Sequence, residues 1–247
     1  MTTLVANGCS HTAGLRAGSS VGFDYQLAWP RWLADDLGYD WVNLAEPGNS
    51  NEQIRRTTVE WLLDNVELNR RYDPKDLVVM IMWSGIDRFE LWNNEIQRLN
   101  SYNGGADLSW ASHEFKEYVK YKTIISNYNV NEYKNLMDIY LTTKYLESLD
   151  IKYYFMSALH TWSTPEKYSS PSILKEKYKL LYEAYGNRRS RHLGFLLPDE
   201  TFWECMKRSN IPFSKYDLSK VKTHYDVDGQ QFWKNNVKAW MERIDNV

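Results

Sequence analysis

The sequence predicts an α/β protein, built as a three-layer α/β/α sandwich around a mostly parallel sheet. Short apolar runs of strand length alternate with segments whose apolar residues recur every three or four positions, as on one face of a helix. Residues 76–84 are almost entirely apolar, which is typical of a parallel strand that helices cover on both faces. Because each helix provides the crossover to the next strand, this alternation favours parallel pairing.

Two strand-and-helix units open the chain. Residues 3–7 form a short apolar strand, and the following helix has Pro30 in its first turn, where proline is favoured. Gly38 ends this helix. A second strand within the segment WVNLAEPG leads to a helix with a capping box at Ser50 and Gln53. The apolar face of that helix contains Ile54, Thr58, Leu62 and Val66.

The second half of the chain repeats the pattern around two exceptions. Residues 131–150 have a helical period, residues 152–159 predict a strand, and the last helix has an apolar face that includes Trp233 and Trp240. Two stretches, about 89–130 and 161–213, are rich in Asn, Ser, Tyr, Trp and charges and fit poorly. We expect them to be partly helical insertions over the ends of the sheet, within a single domain of residues 1–247.

Composition limits the partners that the chain can have. A net charge of -2 gives no reason to expect nucleic acid or an anionic membrane, so we expect a small-molecule or carbohydrate substrate. The 11 Trp and 18 Tyr suit stacking on sugars, or else they fill a core made from the insertions. With no signal peptide and no apolar run of about 18 residues, we expect a cytoplasmic protein that does not span a membrane. The oligomeric state is left open.

Polar residues follow several predicted strands. Since the carboxyl ends of parallel strands meet at one edge of the sheet, these residues are expected to share a crevice. They are Ser10 and His11, then Gly48 and Asn49, then Ser84, Gly85, Asp87 and Arg88, and His224 before the last helix. A serine becomes a nucleophile when an imidazole accepts its proton and N–H donors stabilise the oxyanion. Taken alone, Ser10 also fits a turn or cap residue, and His224 a surface histidine.

Taken in order, these stretches resemble the SGNH hydrolases, also called GDSL esterases and lipases. The first block of that family is matched by Gly8-Cys9-Ser10-His11, the second by Gly48 within VNLAEPGNSN, and the last by His224, five residues before Gly229. The resemblance implies a flavodoxin-like sheet, Ser10 as nucleophile, the Ser10 and Gly48 amides as oxyanion donors and His224 as base. It also implies hydrolysis or transfer of O-acyl esters without a metal or organic cofactor.

The third block departs from the family. Its usual Gly-x-Asn-Asp is replaced by WSGIDRFE, so the asparagine that would donate to the oxyanion is missing. Asp87 aligns with it, but a carboxylate repels developing negative charge. We expect Ser84, the Gly85 amide or Asn49 to replace that donor, or Arg88 to favour the charge directly. Alternatively, Asp87 and Arg88 form a local cap or a surface ion pair.

The other blocks depart too. Val221 occupies the position where the family has the aspartate that orients the histidine. We favour Asp226 for this role over Asp217 or a backbone carbonyl, and expect Asp228 to cap the final helix. Cys9 replaces the first-block aspartate and is expected to shape the turn; a thiol nucleophile is the alternative. His11 is expected to be a wall or substrate contact.

The sequence therefore predicts a serine hydrolase that cleaves O-acyl esters, with carbohydrate O-deacetylation as the specific hypothesis. Two alternatives remain open. One is an O-acyltransferase, which would share the acyl-enzyme. The other is a binding or structural module that keeps the fold without the chemistry, as the two missing residues of the third and last blocks would suggest.

Overall fold

The computed structural model describes residues 1–14, 24–93, 98–102, 112–125, 128–159, 172–186, 192–193, 201–212 and 225–245. The strands in these ranges are β1 (Thr3–Asn7), β2 (Asp40–Asn43), β3 (Leu77–Trp83), β4 (Phe89–Asn93), β5 (Arg98–Tyr102), β6 (Lys152–Ser157) and β7 (His192–Leu193). The helices are α1 (Ser10–Ala13), α2 (Trp29–Leu37), α3 (Asn51–Leu62), α4 (His113–Ile125), α5 (Tyr128–Ser148), α6 (Ser172–Gly186), α7 (Phe202–Arg208) and α8 (Val227–Asp245).

Five strands form a parallel sheet in the order β2-β1-β3-β6-β7. The apolar run of residues 76–84 becomes β3, which lies at the centre and is buried along its whole length. Its side chains alternate between two cores. Val79, Ile81 and Trp83 pack with α3, α5 and α6, whereas Met80 and Met82 pack with α2, α7 and α8. The predicted α/β/α sandwich with a parallel sheet is confirmed.

Local sequence features account for the ends of the helices around the site. Pro30 lies in the first turn of α2, and Gly38 ends the helix with a φ of 68°, a left-handed conformation that favours glycine. The Ser50 side chain accepts a hydrogen bond from the Gln53 backbone N–H at 3.2 Å, which caps α3 as predicted. The last turns of this helical segment, Leu63–Leu68, widen into a π-helix.

The first insertion contains structure that the sequence pattern did not predict. Strands β4 and β5 pair as an antiparallel hairpin. The hairpin is fixed to α3 by an ion pair in which Arg56 Nη2 lies 2.7 Å from Glu90 Oε1, and by a hydrogen bond from the Glu90 N–H to Glu52 at 2.9 Å. These partners are more than thirty residues apart, so a local pattern carries little information about them.

Within the described ranges, none of the helices combines the length and the apolar composition needed to cross a lipid bilayer.

Candidate active site

Ser10 lies on a tight turn directly after β1, at the carboxyl edge of the sheet. Cys9 precedes α1 in an extended conformation, and its carbonyl accepts the Thr12 N–H at 2.9 Å. Ser10 is the first residue of α1 and is 5% exposed. Gly8 is needed here because a Cβ would lie 2.2 Å from Thr12 Oγ1 and 2.9 Å from the Met82 carbonyl oxygen of β3. We call residues 8–12 the Ser10 corner.

The last residue of β2 and the loop that follows it are both hydrogen-bonded to this corner. Asn43 Nδ2 donates to the Thr12 carbonyl at 2.9 Å, and Asn49 Nδ2 donates to the Gly8 carbonyl at 3.0 Å. Gly48 precedes Asn49 with a φ of 86° and is exposed. Its N–H has no acceptor among the described residues, so it is free to donate to an incoming group.

Arg88 connects that loop to the end of β3. Its Nη1 donates to Ser84 Oγ at 2.7 Å and to the Asn49 carbonyl at 3.2 Å. Two consecutive hydrogen bonds, Arg88 to Asn49 and Asn49 to Gly8, therefore connect the guanidinium to the Ser10 corner. Ser84 and Asn49 were two of the predicted replacements for the missing asparagine. The Ser84 hydroxyl accepts a hydrogen bond from Arg88, and the Asn49 side-chain amide donates one to the Gly8 carbonyl.

The remaining third-block residues differ in their exposure. Gly85 is buried, and within the described ranges its N–H has no acceptor. Asp87 is exposed, and its Oδ1 would lie 2.7 Å from a Cβ on Gly85, so this carboxylate would have to move if a larger residue replaced the glycine. Among the described residues, Asp87 and Arg88 do not form the predicted ion pair. The Arg88 guanidinium contacts Ser84 and Asn49 instead.

His11 is turned into the protein, and its predicted role as a wall or substrate contact remains a prediction. It is 2% exposed, and its ring centroid lies 4.7 Å from that of Phe202 on α7. Phe202 in turn contacts the ring of Tyr225 at 5.6 Å. Gln230 of α8 donates through Nε2 to the His11 carbonyl at 3.2 Å and accepts from the Trp29 N–H at 3.1 Å. The start of α8 is thus bonded to the Ser10 corner.

Burial also governs the acid–base state of Tyr225. Desolvation, helped by the negative charge of Glu204, raises the pKa of this phenol to about 12. The hydroxyl therefore stays protonated and neutral at neutral pH.

His224 lies outside the described residues, as do Asp217 and Val221. The chain is described again from Tyr225, and Asp226, the half-buried predicted partner of the histidine, immediately precedes α8. The Asp226 carbonyl accepts the Gln230 N–H at 3.0 Å, as the residue that caps a helix does. The expectation that Asp228 caps α8 is wrong, because α8 begins at Val227 and Asp228 is its exposed second residue.

Both cysteines are free thiols in buried positions. Cys9 is fully buried in the apolar core that contains Trp29 and Met80, which agrees with a residue that shapes the turn. In the parts of the chain that the structure describes, no three His, Cys, Asp or Glu side chains group closely enough to hold a metal ion.

The structure reveals a buried polar network that the sequence reasoning missed. Asn51, which is fully buried, accepts the Ser84 N–H at 2.7 Å and donates to Asn135 Oδ1 at 2.7 Å. Asn135 donates to the Asn131 carbonyl at 2.7 Å, within α5. Asn7 accepts the Gly8 N–H at 2.7 Å and donates to α3 at 2.9 to 3.0 Å. The sequence feature that could have indicated this network is the presence of asparagines near the ends of the predicted strands.

A family described as "Family of unknown function (DUF6071)" matches residues 10–164. The esterase EstA from a Pseudoalteromonas species, solved as a complex inhibited by monoethylphosphonate, is similar in structure with a TM-score of 0.51, at 11% identity over 100% of both chains. This likeness is one of fold, and it agrees with the α/β/α sandwich and parallel sheet of this chain.

Two further solved structures resemble the chain less closely. An α/β hydrolase from the Lake Arreo metagenome has a TM-score of 0.48 and 16% identity, with 98% of this chain and 96% of that chain covered. A lipolytic protein of the G-D-S-L family from Veillonella parvula has a TM-score of 0.45 and 13% identity, with 97% of each chain covered. No curated protein matches the sequence.

Proposed function

The chain belongs to the DUF6071 family, and from the site and the fold we propose that it is a serine hydrolase of O-acyl esters, with Ser10 as nucleophile. The observation that carries the proposal is the Ser10 corner itself. A buried serine begins a short helix at the carboxyl edge of a parallel sheet. Asn49, which is hydrogen-bonded to Gly8 of the same corner, follows the exposed Gly48, whose N–H has no acceptor in the described ranges. Residues at this edge converge on ligands in open α/β folds.

In the proposed reaction, Ser10 Oγ attacks the ester carbonyl carbon and His224 accepts the hydroxyl proton. The oxyanion receives hydrogen bonds from the Ser10 and Gly48 N–H groups. The carbon–oxygen bond to the alcohol then breaks, and the alcohol leaves with the proton from His224. Water activated by the same imidazole hydrolyses the acyl-enzyme and restores Ser10.

The contacts of α8 support His224 as the base. The ring of its neighbour Tyr225 contacts the ring of Phe202, which also contacts the ring of His11, the residue after Ser10. Gln230, in the first turns of α8, donates to the His11 carbonyl. These contacts hold the chain on the C-terminal side of His224 next to the Ser10 corner. Asp226 is proposed to orient the imidazole.

Arg88 is proposed to compensate for the missing third-block asparagine. Its positive charge is fixed by Ser84 and Asn49, two hydrogen bonds from Gly8. A guanidinium at this edge favours the negative charge that develops on the oxyanion, and the buried Gly85 N–H is a further donor. The substrate class within O-acyl esters is proposed to be acetylated carbohydrates, because aromatic residues are abundant in both insertions.

Labelling with a fluorophosphonate probe tests the nucleophile. We expect the wild type and Cys9→Ala to be labelled, and Ser10→Ala to remain unlabelled, because the probe reacts with an activated serine. Hydrolysis of 4-nitrophenyl acetate should fall about a thousandfold or more in Ser10→Ala. Equal labelling of wild type and Ser10→Ala would rule Ser10 out. A folded wild type that is neither labelled nor active would favour the binding-module alternative.

A further inference from the structure

A cleft of about 260 Å³ opens beside Arg88, between the end of β3, the start of the hairpin and helices α4 and α5. Its volume is close to the lower end of the range for small-molecule sites, about 300–1,000 Å³. Ile86, Phe89 and Val130 supply apolar surface. Asn131 and Asn135 supply polar groups, and the charged side chains are Glu52, Asp138, Arg88, Lys122 and Lys134. We call this the Arg88 cleft.

Both carboxylates of the Arg88 cleft already have cationic partners. Glu52 Oε1 lies 3.1 Å from Lys134 Nζ, and its second oxygen accepts the Glu90 N–H. Asp138 Oδ1 lies 2.7 Å from Nε of Arg55. The negative charge in the cleft is therefore neutralised by Lys134 and Arg55.

Two cations remain without a carboxylate. Among the described residues, neither Arg88 nor Lys122 has an acidic side chain within ion-pair distance. Arg88 is half-buried and is fixed through one nitrogen, Nη1, by neutral oxygens of Ser84 and Asn49. Its Nε and Nη2 make no hydrogen bond to any described residue, so they can bind an incoming oxygen pair. Lys122 is also half-buried, with Nζ 6.0 Å from the Tyr118 ring centroid.

The geometry points to a binding site for an anionic oxygen group, a carboxylate or a phosphate, carried by the substrate and held between Arg88 and Lys122. This inference rests on the proposed function, because it names the chemical class of the ester that Ser10 would cleave. A planar guanidinium pairs with two oxygens at once, which fixes the orientation of the ligand as well as its charge. Arg88 would thus select the substrate from a position linked to the Ser10 corner through Asn49.

Binding to the Ser10→Ala protein tests the cleft without any turnover. The probes are 4-hydroxybenzoate and phenyl phosphate, with the neutral 4-hydroxybenzamide as reference, measured by isothermal titration calorimetry. We expect at least one anion to bind roughly tenfold more tightly than the amide, the effect of one charge-assisted hydrogen-bond pair. Adding Arg88→Gln should abolish this preference. Equal affinity for all three probes overturns the inference.

Lys122→Gln provides a second variant, at a half-buried position that lines the cleft. We expect it to reduce the preference for the anion about threefold. Lys120→Gln is the matched control, because Lys120 is on the same helix with 65% of its side chain exposed and does not line the cleft. A loss of preference in Lys120→Gln as large as that in Lys122→Gln would contradict a specific site.

A catalytic comparison separates this inference from the proposed function. The ratio of kcat/KM for 4-acetoxybenzoate to that for 4-acetoxybenzamide should be roughly ten in the wild type and near one in Arg88→Gln. If Ser10 is labelled but the charged ester and the anionic probes are not preferred, the hydrolase proposal stands and the anion site is ruled out. If the anion binds in an Arg88-dependent way but Ser10 is not labelled, the anion site stands and the hydrolase proposal is ruled out.

Discussion

The Ser10 corner and the Arg88 cleft lie at the same edge of the sheet, and hydrogen bonds anchor both, but close backbone packing is found at the corner and buried charges at the cleft. The corner depends on close backbone packing, with Gly8 against the Met82 carbonyl and Thr12. The cleft side depends on buried hydrogen bonds and charges, with Asn51 joining Ser84 to Asn135. The corner should therefore be sensitive to added volume, and the cleft side to lost polarity and to pH.

The largest effect is expected from Gly8→Ala. The added Cβ would lie 2.9 Å from a backbone oxygen of β3, which cannot move without disturbing the central strand. We expect a loss of about 3 kcal/mol in the free energy of unfolding, measured by urea denaturation. Gly38→Ala is the control, because nothing lies within 4 Å of its Cβ and only its left-handed φ of 68° is unfavourable. That strain costs about 1 kcal/mol. Equal losses would show that close packing does not define the corner.

Asn51→Ala should have the second largest effect. It leaves the Ser84 N–H and the Asn135 amide oxygen buried without Asn51 as their partner, which costs about 2 kcal/mol of unfolding free energy. Asn69→Ala, at an exposed site, should cost about 0.5 kcal/mol or less in the same urea titration. If the two variants were equally stable, the network would contribute little and the comparison between corner and cleft would fail.

The smallest effect is a pH dependence at Asp138. Burial raises the pKa of this carboxyl above its ordinary 3.8, and the positive charge of Arg55 opposes the shift only in part. In the window above pH 3.8 the folded state therefore binds more protons than the unfolded state, so Asp138 makes the protein less stable as pH rises.

Asp138→Asn removes this titration. We expect the unfolding free energy of the wild type, relative to that of the variant, to fall as pH increases from about 3.5 towards 6 and then to level off. Urea titrations of both proteins at each pH measure the difference, in which groups common to both cancel. A relative stability that grows with pH would mean that the ion pair with Arg55 outweighs burial.

Much of the fold was predictable from local patterns. The apolar run of residues 76–84 became the central strand, and Ser50, Pro30 and Gly38 mark helix ends as expected. The hairpin of β4 and β5 was missed, because its anchors, Glu90 with Arg56 and with Glu52, join residues distant in sequence. The single domain and the catalytic roles of Ser10, His224 and Asp226 remain predictions.

The sequence by itself determined the order of the strands β1, β2, β3 and β6 and of the helices between them, and that Ser10 follows the first strand two residues after a glycine. These features depend on neighbours within a few residues, which a linear pattern contains. Only the tertiary structure decided what surrounds Arg88, because its partners Ser84 and Asn49 and the network through Asn51 come from separate loops. The sequence shows which side chains carry a charge. Whether a carboxylate neutralises that charge depends on which distant residues the fold brings within a few ångströms.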